Sequence, residues 1–114
     1  MIQSELPNQS LQVYDVDGTL DTAGGCIKLA WLKPIKDWGI LSSKSVTASK
    51  RVLKKLKPMF IEVCRVNMRA EELLFLKEKY PGYKRYIYIA DREIDRSETI
   101  RAGWEFCFAH QWRH

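Results

Sequence analysis

Apolar residues along this chain fall into short runs separated by amphipathic stretches. Residues 10–16, SLQVYDV, read as a buried strand. "WGIL" predicts a second short strand ending at Ser42 and Ser43, "MFIEVCRV" a third, "RYIYIA" a fourth and "WEFCFA" a fifth. Between them the period lengthens. Residues 45–57 predict a helix with Val46, Val52, Leu53 and Leu56 on one face and Ser45 as N-cap. A helix over 68–80 follows, with Asn67 as cap, Leu73, Leu74 and Leu76 turned inward, and "YPGY" as its stop. A third helix runs through "IDRSETIRA", with Gly103 just past its end. Residues 18–37 hold Gly18, Gly24, Gly25 and Pro34 and read as turns with a short hairpin around "CIKLAWL".

Strands alternating with helices imply an α/β fold, a three-layer Rossmann-like parallel sheet. The 114 residues suit a single domain, 1–114. Ligands of such sheets bind beyond the carboxyl ends of the strands. Asp15, Asp17, Ser42, Arg65 and Asp91 fall at predicted ends of this kind.

Composition narrows the class. Hydrophobic residues make up 46% and charged ones 29%, a globular balance. No apolar run reaches the roughly 20 residues that cross a membrane, and "MIQSELPNQS" lacks the pattern of a signal peptide. The three cysteines, Cys26, Cys64 and Cys107, form no CxxC pair and read as buried reduced thiols of a cytoplasmic protein. The net charge of +5 permits a phosphorylated or nucleic-acid partner, although Lys50, Lys54, Lys55 and Lys57 read as a solvated helix face.

The chemistry concentrates in "DVDGTL". On a continuing strand, Asp15 and Asp17 would point the same way and repel. A bound cation is the usual compensation.

This motif resembles the first motif of the haloacid dehalogenase (HAD) superfamily, the aspartate-nucleophile phosphatases. "GILSS" is similar to the second motif, an apolar strand ending in Ser or Thr, and "IADREIDRSETIRAGW" to the fourth, in which a strand delivers one acid and a second follows four residues later. The ordered set spans residues 11–108. The resemblance implies Asp15 as nucleophile and Asp17 as general acid and base. It implies magnesium held by Asp15, the backbone carbonyl of Asp17, Asp91 and Asp95, an all-oxygen set suited to that ion. It implies a phosphate site with Ser42 as donor, Ser43 as fallback, and Gly18 letting the backbone approach and present N–H groups.

The sequence departs from the pattern at the third motif, where the family has Lys. Arg65 and Arg69 stand in that neighbourhood; Arg65 is preferred for its place at a strand end, with Lys44 as the source of charge if neither serves. Ala90 stands where the family often has Gly. The doublet Asp91-Arg92 is similar to phosphatase modules of polynucleotide end-healing enzymes. Between Leu20 and Trp38 there is room only for a turn and a flap, so no cap domain is expected and the site should be open. By family analogy, such a site takes bulky phosphorylated substrates, including nucleic-acid ends or phosphoproteins, or borrows a lid from a homo-oligomeric neighbour; a small metabolite phosphate stays open too. The expectation is a magnesium-dependent phosphomonoester hydrolase, because dehalogenases lack an acid at position 17. The competing reading is a binding module that has kept the fold without the activity.

Overall fold

The computed structural model describes residues 9–112. Five strands, β1 (Ser10–Tyr14), β2 (Trp38–Ser42), β3 (Ile61–Val63), β4 (Arg85–Ala90) and β5 (Glu105–Phe108), form one parallel sheet in the order β3-β2-β1-β4-β5. Three helices, α1 (Val46–Leu53), α2 (Arg69–Lys79) and α3 (Glu93–Arg101), cover it. Successive strand residues face opposite layers. Leu11, Val13, Leu41, Tyr86 and Tyr88 pack with Ala70, Leu73 and Leu76 of α2 and with Ala102 and Trp104 after α3. Tyr14, Trp38, Ile40 and Ile89 pack on the other side with Leu53 of α1 and with Leu20, Ile27, Leu32 and Trp112. The expected three-layer architecture is therefore present. No helix among the described residues is long and apolar enough to cross a membrane. The stretch 1–8, most of the segment read for a signal peptide, lies outside the described residues.

Several boundaries differ from the sequence reading. β1 ends at Tyr14 rather than residue 16, and the third strand spans only Ile61–Val63. α1 stops at Leu53 because Lys54 takes φ 58°, a left-handed value that no helix continues. Ser45 caps α1 as expected, its Oγ accepting from Ala48 N at 3.2 Å, but Val46 is 41% exposed. No hairpin forms around "CIKLAWL". The segment makes two 3-10 turns, Asp21–Ala23 and Leu29–Leu32, and a single parallel bridge between Leu20 and Ile27. The physical cause is the tight loop at Gly24 (φ 84°) and Gly25, whose N–H donates to Leu20 O at 2.8 Å, bringing Ile27 alongside Leu20 in the same direction.

Asn67 does not cap α2; it lies in a 3-10 turn, Val66–Met68, and no side chain at the N-cap serves. Glu98 of α3 does this from across the layer, accepting from Ala70 N at 3.0 Å. Leu74 is exposed, since the buried stripe of α2 runs through 69, 73 and 76 at i, i+4, i+7. Gly103 follows the end of α3 at φ 78°, as expected. The cysteines expected to be buried are not: Cys26 is exposed, and Cys64 and Cys107 are only half-buried. Lys50, Lys54, Lys55 and Lys57 are exposed.

Candidate active site

The site grows out of the end of β1. Asp15 N donates to Ile89 O at 2.9 Å, extending the ladder one residue past the strand, and the carboxylate is 3% exposed. Val16 N then donates to Asp15 Oδ1 at 2.8 Å, and the chain turns at Gly18 with φ 75°. The turn separates the two acids. Asp17 is swung outward, its side chain 65% exposed, 3.1 Å from Lys44 Nζ. The expectation that Asp15 and Asp17 crowd each other is thus replaced, because the strand that would have aligned them has already ended.

The crowding occurs among Asp15, Asp91 and Asp95 instead. One carboxylate oxygen of each lies within 4.8 Å of the others. β1 supplies the first, the end of β4 the second and the first turn of α3 the third. Gly18 makes room: a Cβ there would stand 2.1 Å from Asp91 Oδ2. Asp95 is fully buried, with Oδ1 lacking any hydrogen-bond partner. Burial pushes the Asp15 carboxyl up to about 6, against the pull of Arg69, the Val16 N–H and the Ser42 hydroxyl, with Asp95 adding to the rise. Asp95 is likewise raised, chiefly by burial, with Arg92 and Arg69 opposing. An oxygen-only cluster with an unsatisfied buried oxygen fits a hard divalent cation. The Asp17 side chain is not part of this trio.

Arg69 is the cation inside the fold. Although it opens α2, where an arginine is expected to be solvated, it is fully buried. Its Nε donates to Tyr88 Oη at 3.0 Å and its Nη1 to Cys64 O at 2.5 Å. Nη2 stands 3.7 Å from Asp15 Oδ1, and Nε 3.8 Å from Asp95 Oδ1. Burial alone would lower its basicity, but Tyr88 and Asp15 outweigh that and hold it protonated. Tyr88 Oη in turn donates to Leu41 O at 2.8 Å, so its hydroxyl is used both ways. Arg65, the preferred candidate, sits at the start of the 3-10 turn before α2 and is exposed. The structure thus brings Arg69, not Arg65, against the acids.

A pocket of about 250 Å3 opens over the trio, lined by Asp15, Asp17, Gly18, Ser43, Asp91 and Arg92. Ser42 is buried behind it, its Oγ accepting from Lys44 N at 3.0 Å, while Ser43 is the serine on the lining. Neither Arg65 nor Arg69 lines the pocket; Arg92 does, its Nε 3.4 Å from Asp95 Oδ2. The Gly18 N–H, expected to face phosphate, is already donated to Ala23 O at 2.9 Å. The sequence reading passed over Tyr88, Glu98 and Arg92 as participants. Tyr88 carried a readable signal, since a tyrosine amid a buried strand has to find partners for its hydroxyl.

No family model matches this chain, and no curated protein does. Among solved structures it is similar to the NMR structure of the core domain of a "putative phosphoglycolate phosphatase" from Streptococcus pneumoniae TIGR4, at 22% identity and a TM-score of 0.63, over 88% of this chain and 79% of that one. The two share their fold, a five-stranded parallel sheet between helical layers.

Proposed function

We propose that this protein is a magnesium-dependent phosphomonoester hydrolase working through an aspartyl-phosphate. The observation that carries the reading is the acid trio of Asp15, Asp91 and Asp95 beneath a small pocket, with Arg69 buried against two of its members. An Asp15 oxygen attacks phosphorus and takes the phosphoryl group, and Asp17 gives its proton to the departing oxygen. Asp17 then accepts a proton from water, whose oxygen attacks the same phosphorus and releases phosphate and the free Asp15 carboxylate. Asp15, Asp91, Asp95 and the Asp17 carbonyl would hold magnesium, which when bound supplies charge neutralisation at the phosphoryl oxygens. Ser43 and Arg92, on the pocket lining, are the groups we assign to the phosphoryl oxygens, with Ser42 supporting Asp15. Arg69 fills the electrostatic place of the missing lysine from behind Asp15.

About 250 Å3 takes a phosphoryl group and only part of a larger molecule, so the rest of a bulky phosphorylated substrate, such as a nucleic-acid end, would lie outside. Cysteines that form no CxxC pair suit the reducing cytoplasm, the compartment we assign. One observation favours the alternative of a binding module without turnover: the Asp17 side chain is swung outward to an ion pair with Lys44 and stands apart from the acid trio. Turnover of a chromogenic phosphomonoester with and without magnesium separates the two. The hydrolase hydrolyses it only with the metal, and Asp15→Asn loses several orders of magnitude. A wild-type protein inert under both conditions supports the binding module.

A further inference from the structure

Outside the acidic pocket, the most one-sided chemistry surrounds α1. A groove of about 730 Å3 beside the edge strand β3 is lined by Lys50, Lys54, Lys55 and Lys57, together with Val46 and Ile61. A depression of about 710 Å3 shares Lys54, Lys55 and Leu56 with it and adds Lys28 and Lys33. A third, of about 400 Å3, shares Lys55, Leu56 and Lys57 and adds Lys36. All seven lysines are exposed, and none forms an ion pair among the described residues. Several basic side chains elsewhere do: Lys79 pairs with Glu62, Arg85 with Glu105, Arg96 with Glu93 and Arg101 with Glu98. The one acid on these three linings is Asp21. At the junction, Lys54 keeps a φ of 58° that glycine would adopt with less strain.

The basic surface lies close to the acidic pocket along the chain. Val46, on the groove lining, is three residues from Ser43 on the pocket lining, at most about 11 Å of chain. From Val46 to Lys54 the helix carries the groove roughly 12 Å further. We propose that the lysine surface around α1 and β3 is a sequence-independent track for the phosphodiester backbone of a single-stranded nucleic acid, whose terminal phosphate enters the pocket of Asp15 and Asp17. The part concerning the terminal phosphate rests on the phosphatase reading; the binding does not. A nucleic acid is favoured over an acidic protein because one ligand then meets both features, a terminal phosphomonoester for the acidic pocket and a row of monoanions for lysines outside any ion pair. The lining carries no exposed ring for bases to stack on, so phosphate contacts dominate and affinity falls steeply with salt.

The test is fluorescence anisotropy with an end-phosphorylated single-stranded oligonucleotide and the Asp15→Asn protein, which binds without turnover. Reversing Lys54, Lys55 and Lys57 together to Glu should weaken binding at least tenfold, and lower the slope of log affinity against log salt by about 2. Reversing Lys28, Lys33 and Lys36 is a second, independent set with the same expected direction. The charge-matched control, Lys77, Lys79 and Lys84 to Glu, should stay within about twofold, a bound chosen to exclude a net-charge effect. In an otherwise wild-type protein, hydrolysis of a small chromogenic ester should not change with either set. Lysine-dependent binding by a protein that hydrolyses no phosphomonoester would overturn the phosphatase reading and uphold the track. Equal weakening by the control set, salt-independent binding, or capture of an acidic peptide in preference to the oligonucleotide would overturn the track.

Discussion

Charge is held in two opposite ways in this molecule. At the carboxyl ends of the strands, Asp15, Asp95 and Arg69 are buried, of both signs and in mutual contact. Around α1, exposed lysines form no ion pair among the described residues. In the first region each group's position is fixed by backbone ladders and hydrogen bonds, and moving one leaves its neighbours uncompensated. In the second, water and salt screen each lysine and geometry is loose. The first arrangement suits chemistry on one atom, and the second suits attraction of an extended polyanion.

The largest effect should come from breaking the buried set. Arg69→Ala leaves Asp15 and Asp95 uncompensated and should cost roughly 3–5 kcal/mol of stability by denaturant unfolding. Millimolar magnesium should recover part of that loss, because a cation held by the trio takes over the same charge. Equal losses with and without the metal would separate Arg69 from the metal site. Tyr88→Phe comes next. It strips a donor from the Leu41 carbonyl and an acceptor from Arg69 Nε, for roughly 1–3 kcal/mol. Glu98→Ala removes the cap on the Ala70 N–H and should cost about 1 kcal/mol. A smaller change in thermal melting than Arg65→Ala produces would show that α2 does not depend on that cap. Smallest are Arg65→Ala and Lys55→Glu, exposed positions where changes within about 0.5 kcal/mol are expected. A large loss at Arg65 would mean that the wrong arginine has been placed at the centre.

The contrast also explains what the sequence could tell. All five strands and three helices were legible, because strands buried on both faces must be apolar runs, and caps such as Ser45 and Gly103 mark helix ends with little dependence on tertiary context. The four acids were legible as ordered motifs. Their grouping was not: it depends on β1 ending at Tyr14 and on the left-handed turn at Gly18, which sends Asp17 outward and lets Asp91 in. Arg69 was misjudged for a related reason. An arginine in a first helical turn reads as solvated, although its spacing from Leu73 and Leu76 puts it on the buried stripe. Glu98 lies 28 residues from the N–H it caps, a pairing that local sequence does not encode. The hairpin expected near residue 27 failed because glycine-rich turns allow parallel as well as antiparallel closure.

Everything proposed for the acidic pocket depends on Asp15 carrying the phosphoryl group. The most direct measurement is peptide mapping of protein quenched in acid during turnover of a chromogenic phosphomonoester, whose leaving group departs unprotonated, with Asp17→Asn slowing breakdown of the intermediate. A phosphorylated Asp15 is expected, formed only with magnesium and absent from the protein that also carries Asp15→Asn. Turnover without any phosphorylated aspartate, or a phosphoryl group on another residue, would contradict it.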